Sequence, residues 1–84
     1  MSGPARWPLT RRQTEVLAAA ADGATLSVVA QRLGIPRERA AARLSEAYKR
    51  LDVAWMDRSE RRSTAVRIAR ERGLIPAETD REAA

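Results

Sequence analysis

The sequence predicts a small all-α domain of four helices. Three observations carry that expectation: apolar residues recur at three- and four-residue spacing, hydroxyl side chains stand where helices should start, and glycines stand where they should stop. No alternation of apolar and polar residues bounded by turn signals suggests a strand. With 84 residues, the chain has room for one modest core and none for a separate catalytic domain, so marginal stability is expected.

The first helix is predicted over Arg11 to Ala21. Thr10 offers its hydroxyl as a cap, Gln13 completes the capping-box pattern, and Val16, Leu17, Ala20 and Ala21 form the inward stripe. Asp22-Gly23 supplies the left-handed stop that glycine tolerates. Thr25 caps a second helix, Leu26 to Leu33, with Val29, Ala30 and Leu33 at helical spacing. The turn Gly34-Ile35-Pro36 leads into a third helix, Pro36 to about Leu51, since proline suits a first turn where its missing N–H has no intrahelical partner. At about 100° per residue, Ala40, Leu44, Ala47, Tyr48 and Leu51 share one face. Glu38, Ala42, Ser45, Glu46 and Lys49 lie broadly opposite, and Arg39, Arg43 and Arg50 form a basic flank.

A polar interruption, DVAWMDRSERRS, separates the third helix from a fourth. The fourth starts either at the Asp57-x-x-Glu60 cap pattern or at Ser63. Val66 and Ala69, with Ala65 and Ile68, are expected to face inward. Gly73 should end the helix, with Leu74 folding back on it. The expected organisation is thus a flexible arm over residues 1–8, a domain over 9–76 and a disordered acidic tail over 77–84.

Composition narrows the function. Neither cysteine nor histidine occurs, which removes thiolate metal sites, disulfides, and the commonest general base and metal ligand. No glycine-rich phosphate loop, metal cluster or nucleophile–base pair is present, so an enzyme is not expected, nor a cofactor or a metal. The N-terminal MSGPARWP lacks the apolar segment of a signal peptide, and no apolar run of about 18 residues exists, so a cytoplasmic location is expected. Residues 1–76 carry 15 basic and eight acidic groups, a surplus that favours a polyanion such as nucleic acid. The plain alternative is coding bias, because every basic residue but Lys49 is arginine and 17 residues are alanine.

Two short helices joined by a glycine-containing turn, the second with a basic flank, form a helix-turn-helix, whose second helix enters the DNA major groove. Glycine turns between helices are also ordinary core architecture. The segments LTRRQTEVLAAAADGATLSVVAQRLGIP (Leu9–Pro36), RAAARLSEAYKRLDV (Arg39–Val53) and RSTAVRIARERGLI (Arg62–Ile75) go further. They resemble the LuxR/GerE-type helix-turn-helix DNA-binding domain, which reads LTxREXEVLxLxAxGxSxxEIAxxLxIS, then TVKxHxxxIxxKLxV, then RxxAVxxAxxxGL. The resemblance spans roughly four-fifths of the chain. It implies a four-helix DNA-binding domain whose last helix contributes to dimerisation. More distantly, ARLSEAYKRL is similar to the corresponding helix of sigma-factor region four.

The departures bear on function. Arg39-Ala40-Ala41 replaces the family's Thr-Val-Lys, Arg43 replaces its following His, Pro36 replaces its capping Ser, and about six extra residues precede Arg62. Losing the cap should weaken the helix start by about 1 kcal/mol. Small side chains at Ala41 and Ala42 let a helix sit deep and touch thymine methyls, and the Ser45 hydroxyl can meet donor or acceptor edges. A bidentate guanine contact is left to Arg39 or Arg43. Arg37, Arg39, Arg43, Lys49 and Arg50, with Thr25 and Ser27 at the start of the second helix, are the candidate phosphate contacts.

The expected function is a DNA-binding transcriptional regulator, its affinity dominated by charge, acting as a homodimer through Trp55, Met56, Val66 and Ala69 on double-stranded DNA. Each residue also has a plainer reading. Ala41 and Ala42 are good helix formers on any face, and Arg39 and Arg43 can pair with acids such as Glu46. Trp55 and Met56 suit core or oligomer contacts better than base stacking. Arg61, Arg62, Arg67, Arg70 and Arg72 read as a solvated face. Two alternatives remain: an adaptor that binds proteins on the same scaffold, and a module that binds RNA polymerase or another regulator.

Overall fold

The computed structural model describes residues 9–76 and folds them into four helices: α1 (Arg11–Ala19), α2 (Leu26–Leu33), α3 (Arg37–Arg50) and α4 (Arg58–Glu71). No strand occurs among the described residues. The chain forms a small four-helix all-α domain, as its patterning predicts. The arm expected at 1–8, with Trp7, and the acidic tail expected at 77–84 lie outside the described residues. No described helix is long and apolar enough to cross a membrane. Helix α3 is central, packing against α1, α2 and α4.

The first two helix starts follow the hydroxyl residues. The Gln13 N–H donates to the Thr10 hydroxyl oxygen at 3.2 Å, and the Thr10 N–H donates to Gln13 Oε1 at 3.0 Å, closing a reciprocal box. The Val28 N–H donates to the Thr25 hydroxyl at 3.3 Å. Helix α3 begins one residue later than expected. Pro36 is the capping residue itself, in extended conformation (φ −63°, ψ 150°), and its carbonyl accepts from the Arg39 and Ala40 N–H groups. Helix α4 takes the earlier of its two expected starts. Asp57 stands at the cap without a side-chain capping bond, so the Asp57-x-x-Glu60 pattern marks the position but makes no box.

Three helix ends share one device. After α2 the Gly34 N–H donates to Gln31 O and the Ile35 N–H to Ala30 O; after α4 the Gly73 N–H donates to Arg70 O and the Leu74 N–H to Ala69 O. The same pair follows α3, where the Asp52 N–H donates to Lys49 O and the Val53 N–H to Tyr48 O. Asp52 therefore holds a left-handed φ of 63° that glycine adopts at the other two ends. In each case the next residue, Ile35, Val53 or Leu74, returns to the core. Helix α1 stops at Ala19, two residues short of expectation. Its last turn tightens, with the Ala21 N–H on Ala18 O, and the Arg32 guanidinium takes the Ala19 carbonyl at 2.7 Å.

Alanine supplies six of the sixteen buried apolar residues described. Val16, Leu17 and Val29 are fully buried, and so are Ala20, Ala40, Ala47, Ala65 and Ala69. Alanine abundance is thus structural as well as compositional, because methyl-sized knobs let helices approach closely. The α3 face predicted from periodicity is buried in full, whereas Ala21, Leu33 and Ile68 are only half-covered. Leu9, Val53 and Ile75 complete the core from outside the helices.

Candidate nucleic-acid interface

Helix α3 buries one side and leaves the rest of its circumference in solvent. At about 100° per residue the remainder divides into three strips. The outermost strip holds Glu38, Ala42, Glu46 and Lys49, all exposed. One flank holds exposed Arg39 and Arg50 with half-buried Arg43, and the other holds half-buried Ala41 and exposed Ser45. The strip facing straight out is therefore mixed in charge, and the positive charge sits to its sides.

The acids do not neutralise those sides. Glu46 pairs with Lys49 at 3.6 Å, an exposed pair of small energetic weight, and not with Arg39 or Arg43. Among the described residues, Arg37, Arg39, Arg43 and Arg50 have no ion-pair partner. Guanidiniums without a carboxylate partner keep their donors available for phosphate oxygens. Thr25 is exposed but committed as a cap, its oxygen taking the Val28 N–H while the hydroxyl hydrogen stays available; Ser27 is exposed beside it.

The second flank of α3 borders a crease that sequence reading missed. Leu26 of α2, Arg37, Ala41, Leu44, Ser45 and Tyr48 of α3, and Arg58, Arg61 and Arg62 of α4 enclose about 350 Å³. Arg61 and Arg62 are half-buried, in contrast to the solvated face expected for them. The Arg61 Nε and Nη2 donate to the Met56 carbonyl at 3.3 and 2.9 Å, and its guanidinium carbon lies 5.7 Å from the Tyr48 ring centroid. Arg62 Nη1 donates to the carbonyls of Ala20 and Ala24 in the α1–α2 turn. Only tertiary contact brings these segments together.

The expected dimer residues separate. Val66 (4% exposed) and Ala69 (0%) are sealed within the chain's own core, so they are corrected from subunit contacts to monomer packing. Inward-facing spacing on α4 already pointed that way. Met56 is half-buried against the core, while Trp55 is 74% exposed. The Trp55 indole N–H donates to the Asp52 carbonyl at 2.7 Å, which fixes the ring and leaves its apolar surface in water.

Elsewhere Asp22 and Arg32 form a two-point clasp at 3.0 and 3.1 Å. The Asp22 carboxyl is held below the ordinary aspartate range by the Arg32 hydrogen bond and then by the Ala24 N–H. This clasp closes the α1–α2 turn and stands apart from the basic strips in sequence and role. Comparison with protein-family models, with curated proteins and with solved structures finds no match to this chain.

Proposed function

We propose that this protein is a DNA-binding transcriptional regulator that lays α3 in the major groove and grips the flanking phosphates with arginine. The supporting observation is the open side of α3, where Arg37, Arg39, Arg43 and Arg50 lack acid partners among the described residues. The resemblance of Leu9–Ile75 to LuxR/GerE-type domains supports the same reading. Ala42 on the outermost strip and Ala41 beside it offer methyl contacts and no hydrogen bonds, so affinity comes from charge and discrimination among sequences is modest. DNA shape supplies part of what discrimination there is.

The test is titration of a labelled duplex pool at rising salt. Tight binding at low salt that weakens steeply is expected, and Arg39→Ala with Arg43→Ala should lower affinity for all sequences while reducing the salt slope by about 0.9 per lost phosphate contact. Absence of binding at low salt, or indifference to the double substitution, overturns the reading.

Trp55 favours a second reading, a module that contacts another protein through a fixed, exposed indole. A chain that ignores DNA yet self-associates or binds a regulator through Trp55 fits that reading instead.

A further inference from the structure

We propose that the crease between α3 and the start of α4 is a second DNA contact, a seat for backbone phosphates walled by Arg37, Arg58, Arg61 and Arg62. It rests on the DNA-binding reading and extends it to α4, whose role in the resemblance is dimerisation. Four arginines line the space and no carboxylate does. Guanidiniums gathered around one open cleft repel one another, and an anion placed among them relieves that repulsion while gaining charge-assisted hydrogen bonds.

Two walls of the seat are fixed before any ligand arrives. The Met56 carbonyl and the Tyr48 ring hold Arg61, and the Ala20 and Ala24 carbonyls hold Arg62. Ordering a long side chain normally costs binding free energy, and here that ordering is already done. Arg37 and Arg58 are exposed with no partner among the described residues, so they complete the seat as mobile arms. They are also the first residues of α3 and α4, at the positive ends of two helix dipoles.

The occupant is a phosphodiester backbone, because the crease is continuous with the proposed groove-reading side of α3. Ala41 and Ser45 belong to both. A helix lying in the major groove has phosphates along its flanks, and α4 presents arginine on that flank. The start of α4 at Arg58 delivers Arg58 and Arg61 to it.

Arg61 and Arg62 tie the fold together and Arg37 already serves the groove reading, so the decisive variant is Arg58→Gln. Arg67→Gln, further along α4, changes net charge equally and lines no part of the crease. Duplex affinity is measured from 50 to 200 mM salt. Arg58→Gln should lose about 0.9 of salt slope, a three- to fourfold change in its affinity ratio to wild type across that range, and Arg67→Gln should leave the slope unchanged. Equal effects of Arg58→Gln and Arg67→Gln overturn the seat while leaving the groove reading intact, provided Arg39→Ala with Arg43→Ala still weakens binding. If wild type binds no duplex, both ideas fall. If a polyglutamate peptide competes at the same affinity through Arg58, the occupant is an acidic protein segment and the phosphate assignment is wrong.

Discussion

Helices α1 to α3 and helix α4 are held in the molecule by different forces. The first three interlock through Val16, Leu17, Val29, Leu44 and Tyr48, each a sizeable buried side chain. Helix α4 contributes Ala65, Val66 and Ala69, of which only Val66 is larger than alanine, and gains attachment from arginine hydrogen bonds to carbonyls at Ala20, Ala24 and Met56. Hydrophobic stabilisation scales with buried apolar area, so the three-helix body is expected to be the stable unit and α4 the part that opens first. A basic helix fastened by polar clasps is easier to displace than one fastened by a core.

The largest expected effect therefore lies in the body. Leu17→Ala should cost about 3 kcal/mol and abolish a cooperative melt in so small a domain; a variant that melts within a few degrees of wild type would remove the basis of the comparison. Arg62→Met comes next. It leaves the Ala24 carbonyl without its donor, while the Ala20 carbonyl keeps the Gly23 N–H, at a cost of about 1–3 kcal/mol, and amide hydrogen exchange should accelerate across α4 while α1 to α3 stay protected. Uniform acceleration through all four helices would mean a single cooperative unit. The smallest effect is acidic. Because the folded Asp22 carboxyl titrates below its unfolded value, its contribution is complete above the ordinary aspartate pKa and is lost as pH falls through the depressed one. The urea midpoint should dip slightly below about pH 4, and Asp22→Asn should remove that component of the dip.

Much of the fold was legible because local chemistry and tertiary structure agree at Thr10, Gln13, Thr25, Gly34 and Gly73. Boundaries shifted where two local signals competed. Pro36 fits both a first turn and a cap, and the extended ψ decided for the cap. Ala20 and Ala21 favour helix intrinsically, but the Asp22-Gly23 stop and the Arg32 clasp closed the turn early. Asp52 was silent as a helix terminator because its type only tolerates the left-handed region, whereas glycine prefers it. The flanks of α3 could be read from periodicity. The crease could not, since it joins residues around positions 26, 37–48 and 58–62, and nothing in the letters Arg61-Arg62 distinguishes a solvated guanidinium from one anchored on a carbonyl.

The two alanines on the buried face of α4 have a final consequence for tuning. Ala65 and Ala69 are the spacers that set how far α4 stands from the rest of the molecule. Exchanging either for a bulkier aliphatic group would push the whole helix outward and carry Arg58 and Arg61 with it, widening the gap opposite Ser45. Grip strength on a charged partner thus becomes adjustable from deep inside the protein, with no change to any residue on its surface.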